Sequence, residues 1–407
     1  MSWLAEPIDT ERETQDWADS GALALTGPAD GEPIASVPGA PASVVRAGLA
    51  RVAAEAPHAV LPGLELLSER AAVTGLSRRA PWSAGGAFRA LPAADGWVGL
   101  SLARESDRDL VPALVQAAVT DPWRAVAGWL RRVTVAEAEE RIALLGLPGS
   151  GVPRTPRGPR RDPVVRHPGG RRTPTDRLLV VDLTSLWAGP LCARLLGATG
   201  ARVVKVEHAG RLDGARRGPA RFYDLLHSGH ESVVLDFHSG TGGAALRSLL
   251  DAADVVLEAS RPRALRQLGI DASAHARSGT IWASITAYGR DGEDGMRVGF
   301  GDDVAAGAGL VGWRGHEPCP AADALADPLA GVVAAAAVID ALSDDHGCLL
   351  DVSMHDVAAF AATLDRPSTW STRPARATPP SVEPVPPAAP PGADTARVLA
   401  ELGVTAE

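Results

Sequence analysis

Two apolar, β-branched runs, 178–183 and 202–206, flank a segment with leucines at helical spacing (Leu191, Leu195, Leu196), and this β-α-β pattern constrains the chain more than any other feature. Parallel strands need a crossover helix between them, so the unit predicts an open α/β sheet with its ligand-binding loops gathered at the carboxyl ends of the strands. The turn after the first strand reads TSLWAGPLC. A dinucleotide fold places G-x-G-x-x-G there, because glycines let backbone amides approach a pyrophosphate; NAD and FAD are therefore disfavoured.

At 407 residues the chain has room for two or three domains of roughly 100–200 residues each. A net charge of −9 and a pI near 5.6 argue against nucleic acid as a general partner, since neutralising phosphates takes a basic face. Cys192, Cys319 and Cys348 stand far apart, with no C-x-x-C and no nearby histidine pair, so neither a zinc site nor a disulfide framework is expected and a reducing cytoplasm fits. The opening MSWLAEPIDTERET is acidic and lacks the apolar segment of a secretory signal. The alanine-rich run 329–342 carries Asp340 and is shorter than the ~20 residues of a membrane span, so no membrane partner is expected.

Further strands are predicted near 232–237, 255–258, 281–286 and 348–354, with helices between them, and helices at 42–54 and 63–74 ahead of the β-α-β unit. Gly85–Gly86, an Asp95–Gly96 turn signal and a strand at 97–102 mark a second structured region. Seven arginines among prolines and glycines in 152–172 read either as a nucleic-acid arm or as a solvated linker; the proline spacing and the acidic balance favour the linker. Nine prolines between Pro367 and Pro391 predict a second, stiff and extended linker.

Several strings together carry a family resemblance. VVDLTSLWAGPLCARLLGATGARVVKVE matches through Asp182, Ala188, Gly189, Pro190, Lys205, Val206 and Glu207. ADVVLEASRPRALRQLGID matches through Arg261, Pro262, Leu268, Gly269 and Asp271, and ALADPLAGVVAAAAVIDAL through Asp327, Gly331 and Leu342. The chain resembles the class III CoA-transferase family of the CaiB/BaiF type. The resemblance implies an α/β fold, an open, mostly parallel Rossmann-like sheet with helices on both faces, plus a smaller α+β domain. It implies acyl-CoA and carboxylate substrates, coenzyme A entering as a thioester with no resident cofactor and no metal, and an interlocked homodimer. In that family the small domain normally follows the nucleotide-fold half. Here its counterpart, SAGGAFRALPAADGW through VTVAEAEERIALLGLP, comes first. The organisation expected is thus a small-domain-like α+β region at 1–151, an Arg/Pro-rich linker at 152–176, the large domain at 177–365, a Pro-rich linker at 366–392 and a terminal helix at 393–407. A rearranged member, derived from a tandem fusion, is the simplest account; DWADSGALALTG near the N-terminus also resembles a later family segment.

By resemblance Asp327 is the nucleophile. From the local pattern alone it is an N-cap with Pro328 at the first helical position, a role most Asp-Pro helix starts have and nothing more. The two roles are compatible, because a helix N-terminus favours an ionised carboxylate. Lys205 and Arg261 are offered as neighbours of the CoA nucleotide, with an ordinary strand-end lysine and helix-start arginine as the plain alternative. Trp187 and Ala188 in the first turn complete the CoA-binding set. Gly85 and Gly86 correspond to a glycine loop that closes over the nucleophile in some members; a plain loop is the alternative. LHSGHESV departs from the family, placing His230 and Glu231 where cations are usual and weakening the expected phosphate grip. Two other functions stay open. Racemases of this fold use a G-H-D motif, against GFGDD at 299–303 here, and a non-catalytic paralogue would bind CoA or a partner without turnover.

Overall fold

The computed structural model describes residues 9–34, 37–173, 175, 177–260, 262–365 and 378–403. Strands β1 (Phe88–Pro92), β2 (Trp97–Ser101) and β3 (Gly149–Gly151) form a small antiparallel sheet. Then come β4 (Val164–Arg171), β5 (Leu179–Asp182), β6 (Arg202–His208), β7 (Glu231–Leu235), β8 (Val255–Glu258), β9 (Ile281–Thr286), the hairpin β10 (Val311–Arg314) and β11 (Glu317–Pro320), and β12 (His346–Ser353). Seven of these build the main sheet in the order β4-β12-β9-β8-β5-β6-β7; all neighbours are parallel except β4, which runs antiparallel to β12. The strand order reverses direction between β5 and β8, and the crevice outside their carboxyl ends is where an open α/β sheet takes its ligand.

Strand alternation shows why helices cover both faces. Val180, Val255, Leu257 and Ile281 join one core with Leu191, Leu195 and Val333, whereas Val181, Val256 and Trp282 join another with Leu246, Leu249 and Leu250. Successive residues of a strand point to opposite faces, and here both faces are apolar, as a buried parallel sheet requires. The fold class expected from the β-α-β unit is the one observed.

The domain plan differs in three places. Residues 152–176 are not only a linker, because they contain β4. Its arginines and Pro168 belong to an edge strand, where one side needs no partner and charge is tolerated, so a run that reads as solvated still pairs with β12. Residues 1–151 are not one unit. Trp17, Val44, Val45, Leu66 and Leu67 share the core of the main sheet, whereas Leu100, Val126, Leu130 and Ile142 form a separate core over the small sheet. The helix expected at 63–74 is split into a 3-10 turn, Leu64–Leu67, and a short helix, Glu69–Thr74. The proline stretch lies partly outside the described residues. Its described part has no regular element to 390 and is bound to its own chain, with the Ala388 amide donating to Asp224 Oδ1 at 2.9 Å and that of Gly392 to Ser232 Oγ at 3.1 Å. The terminal helix Thr395–Glu401 follows, and Asp394 and Thr395 accept the Ser232 and Val234 amides of edge strand β7 at 2.9 and 3.0 Å. This covers donors that an open edge leaves unpaired.

An internal repeat emerges from the same elements. At one constant offset, Leu25, Gly27, Glu32 and Pro33 recur as Leu310, Gly312, Glu317 and Pro318, and the helices Pro41–Glu55 and Ala326–Leu342 open at equivalent positions. Ile34 donates to the Thr26 carbonyl at 2.9 Å, an echo of the β10–β11 ladder. The two helices pack against each other. Ala42 of the first copy stands where the second has Asp327.

Candidate active site

β5 ends at Asp182, whose Oδ1 accepts from the amide and hydroxyl of Thr184 at 2.8 and 2.5 Å and fixes the start of the turn. The turn passes Leu186 in the left-handed region (φ 73°) and delivers Trp187 into the core at 2 % exposure. Helix Ala188–Ala198 follows and lies close against helix Ala326–Leu342. A Cβ on Gly331 would stand 2.6 Å from the Ala188 carbonyl oxygen, so this approach needs glycine and sets where the second helix begins.

At that beginning the structure corrects one expectation. Leu325, not Asp327, is the N-cap; Asp327 is the second helical residue, its amide bonded to the Ala324 carbonyl at 2.8 Å. Pro328 is accommodated because the first amides of a helix need no intrahelical partner. The preceding loop turns through Ala322 (φ 54°) and Ala324 (φ 46°), a conformation costly for a residue with a Cβ, and its surroundings hold it there. The Ala322 amide donates to Thr26 Oγ1 and that of Ala324 to Asp302 Oδ1, both at 3.0 Å. Asp323, fully buried between the two alanines, is forked by Arg70, with Nε to Oδ2 at 2.8 Å and Nη2 to Oδ1. The Arg70 guanidinium also lies over the Trp187 ring, 4.9 Å from its centroid.

Three carboxylates, Asp302, Asp323 and Asp327, and one guanidinium thus meet beyond the carboxyl end of β5, with Asp303 next to Asp302 on its helix. Asp323 and Asp303 are buried; Asp302 and Asp327 are only half-buried and open to the site. Burial pushes the Asp327 carboxyl up to about 7, with Asp302 and Asp323 adding to the rise and Arg70 and the Gly301 amide opposing it. Asp302 is raised to about 6 by burial and by Asp323, against Arg70. Burial likewise raises Asp303 to about 7, although it accepts from Ser101 Oγ at 2.6 Å and the Phe300 amide at 3.1 Å. The Ser101 bond ties β2 of the small sheet to helix Gly301–Gly307, beside the site.

Among the residues expected from sequence, Asp327, Trp187 and Gly85 come together. A Cβ on Gly85 would lie 3.0 Å from Arg70 Nη2 and 4.0 Å from Asp323 Oδ1, so the glycine turn reaches the cluster from far along the chain. Gly86 faces Arg79 instead. Ala188 is buried, its carbonyl packed against Gly331. Lys205, offered as a phosphate neighbour, is turned inward: it is 1 % exposed, lies 3.4 Å from Asp182 and 3.2 Å from Asp213, and donates to the Thr184 carbonyl. A lysine spent on two buried carboxylates has no free face for a ligand; its role is structural, and it stands in the middle of β6 rather than at the strand end expected. Arg261 lies outside the described residues. His227 and His230 of the divergent loop are buried, which pushes His230 down to about 4 and His227 well below its ordinary value, so neither supplies a cation at neutral pH.

Arg70, Asp302 and Asp323 were not legible as site residues. Arg70 sits in an ordinary amphipathic string, SERAAV, and nothing in AADALADP marks which aspartate is forked. A cleft of about 780 Å³, lined by His167, Arg266, Ser273, Arg290 and Met296, opens elsewhere, and no member of the carboxylate cluster lines it. At its rim His167, Asp291 and Asp351 bring ligand-type atoms within 4.8 Å of one another, but Asp351 is already bound by Arg161 and by the Arg290 amide, and we assign no ion there. Among the described residues, no helix is long and apolar enough to cross a membrane.

Compared with known proteins, residues 176–391 match the family model described as CoA-transferase family III. A probable fatty acyl-CoA transferase, Rv3272, of Mycobacterium tuberculosis is 36 % identical over 203 residues, covering 46 % of this chain and 51 % of the relative. A succinate–glutarate CoA-transferase of Agrobacterium fabrum is 29 % identical over 209 residues, covering 46 % and 52 %. Human alpha-methylacyl-CoA racemase is 31 % identical over 205 residues, covering 48 % and 50 %. The chain spans about half the length of these relatives. With more than half of its own length matched to one family, centred on the sheet and helices that carry Trp187 and Asp327, the chain belongs to CoA-transferase family III.

Proposed function

We propose that the protein is a CoA-transferase that moves coenzyme A from an acyl-CoA thioester to a carboxylic acid through a covalent intermediate on Asp327. The observation that carries this reading is a half-buried carboxylate at a helix N-terminus, at the switch point of a family III sheet, flanked by a guanidinium and backed by a strained loop. The Asp327 carboxylate attacks the thioester carbonyl, the C–S bond breaks and CoA leaves as thiolate, giving an acyl-aspartyl anhydride. The thiolate then attacks the aspartyl carbonyl, releasing the acyl group as a carboxylate and leaving an aspartyl-CoA thioester. An acceptor carboxylate repeats the two steps in reverse, regenerating Asp327. No net proton is exchanged. The Gly301 amide, which bonds the Asp327 carboxyl, is the donor nearest the oxyanion that develops there. Gly85 and its turn form the lid in this reading, and Arg266 of the 780 Å³ cleft is the cation offered to the phosphates of the CoA nucleotide, Arg290 there being paired with Glu258. Incubation with a panel of acyl-CoA esters and carboxylate acceptors, with mass analysis for an adduct on Asp327, tests the reaction and identifies the substrates.

Attack requires the ionised carboxylate, and the folded Asp327 carboxyl sits near 7, so kcat/KM for the acyl-CoA is expected to rise with pH through neutrality and to fall roughly tenfold per unit below about pH 6. A flat profile between pH 5.5 and 8 would mean that this carboxylate is not the attacking group.

The second reading, racemisation, is favoured by Asp302, a second half-buried carboxyl in the same cluster within the GFGDD string. One carboxylate would remove an α-proton and the other return it. Uptake of deuterium at Cα from heavy water without CoA exchange separates this from transfer. The assembly we propose is the homodimer implied by the family, working in the cytoplasm. Light scattering at micromolar concentration is expected to give twice the chain mass; a monomer would mean that the internal repeat, whose helices already pair within one chain, takes the place of a second copy.

A further inference from the structure

The N-terminal repeat lies outside the region matched to the family model, yet the helix that follows it places Arg70 in the carboxylate cluster. Arg70 spends one fork, Nε with Nη2, on Asp323. Among the described residues no hydrogen bond engages Nη1, and the Arg70 side chain is 26 % exposed, so its second fork is free to take a ligand beside Asp302 and Asp327. Trp187 beneath the guanidinium and Asp323 beside it hold its plane. A fixed planar fork with one free edge of two N–H donors is the geometry that matches a carboxylate. We infer that Arg70 binds the acceptor carboxylate and aims it at Asp327, an inference that rests on the CoA-transfer reading.

Charge bookkeeping gives the order of events. Arg70 feels Asp323, Asp302 and Asp327 together. When Asp327 becomes a thioester one negative charge beside Arg70 disappears, and an incoming carboxylate restores it. The acceptor site is therefore weak while Asp327 is ionised and strong once it is esterified. Arg70 makes no bond to the reacting atoms of the thioester; it positions the group that attacks them.

The neutral state of Asp327 can be held with Asp327→Asn, which allows a test that needs no turnover. Calorimetric titration with succinate and with acetate is expected to show binding to Asp327→Asn at least tenfold tighter than to the unmodified protein at pH 8. Adding Arg70→Lys, which keeps the charge and loses the fork, is expected to weaken that binding at least tenfold. Where loss of the Asp323 partner compromises folding, the neutral pair Arg70→Met with Asp323→Asn, in the Asp327→Asn background, serves as the second variant and is expected to weaken binding at least as much. In turnover, Arg70→Lys is expected to raise KM for the acceptor tenfold or more while KM for the acyl-CoA stays within about twofold. Equal affinities with and without the Arg70 fork, or parallel rises in both KM values, overturn the inference. If the unmodified protein transfers no CoA, the proposed function falls, and the titrations still decide whether Arg70 binds carboxylates.

Discussion

Asp327→Asn is expected to lower CoA transfer by on the order of 10³-fold or more, because the amide has the shape of the carboxylate and none of its nucleophilicity. The same substitution is expected to leave the melting temperature unchanged or higher at pH 8. The sign follows from burial. The folded carboxyl, near 7, holds its proton more tightly than an unfolded aspartate near 3.8, so ionising it works against the fold as pH rises between those values, and asparagine carries no such charge. The side chain is not the N-cap, so no capping bond is lost with it. Mass analysis after incubation with acyl-CoA should find the adduct on the unmodified protein and none on the variant. Near-normal turnover by the Asn form would eliminate covalent catalysis at this position, and with it the distinction between this chain and a CoA-binding paralogue would have to rest on another residue.

The contrast between what could be read from the sequence and what could not follows the range of the interactions. The β5-helix-β6 unit declares itself because strand and helix periodicity are local, whereas Asp327 is singled out by family resemblance, its place at the head of a long apolar helix giving by itself only a cap. Arg70 and Asp323 meet across some 250 residues of chain, and the string around each is unremarkable in composition. No local pattern encodes a fork between them. Ala322 and Ala324 are the harder case: alanine gives no signal for a left-handed conformation that glycine usually takes, and the strain is imposed by Thr26, Asp302 and Arg70 from outside the loop. Lys205 misleads for the opposite reason. Its place in a strand is legible, but the Asp213 that turns it inward comes from a later loop. The strand in 164–171 was masked by arginines and proline that an edge position tolerates.

Gly301→Ala should disable the site by adding a single methyl group. A Cβ at this position would collide with the Ala324 carbonyl and with Asp327 Oδ2. Either the loop or the carboxylate must yield. The loop is held by the Ala322 and Ala324 amide bonds, by the Asp327 amide on the Ala324 carbonyl and by the Arg70 fork on Asp323, whereas the carboxylate can rotate about its own side-chain bonds. The Asp327 carboxylate is therefore the part that moves. A displacement of about 1 Å at a reacting atom costs on the order of 10²-fold in rate, and overpacking costs about 1–3 kcal/mol of stability. We expect kcat to fall by roughly that factor with KM for acyl-CoA changed less than about threefold, because the methyl lies beside Asp327 and not in the cleft lined by Arg266 and Arg290. Gly128→Ala is the matched control: it adds the same methyl within helix Pro122–Leu130, where nothing lies within 4 Å, and should leave turnover unchanged while raising the melting temperature slightly. If Gly301→Ala turns over within twofold of the unmodified protein, Asp327 does not need the orientation seen here, and the role given to the strained loop in aiming it would be wrong.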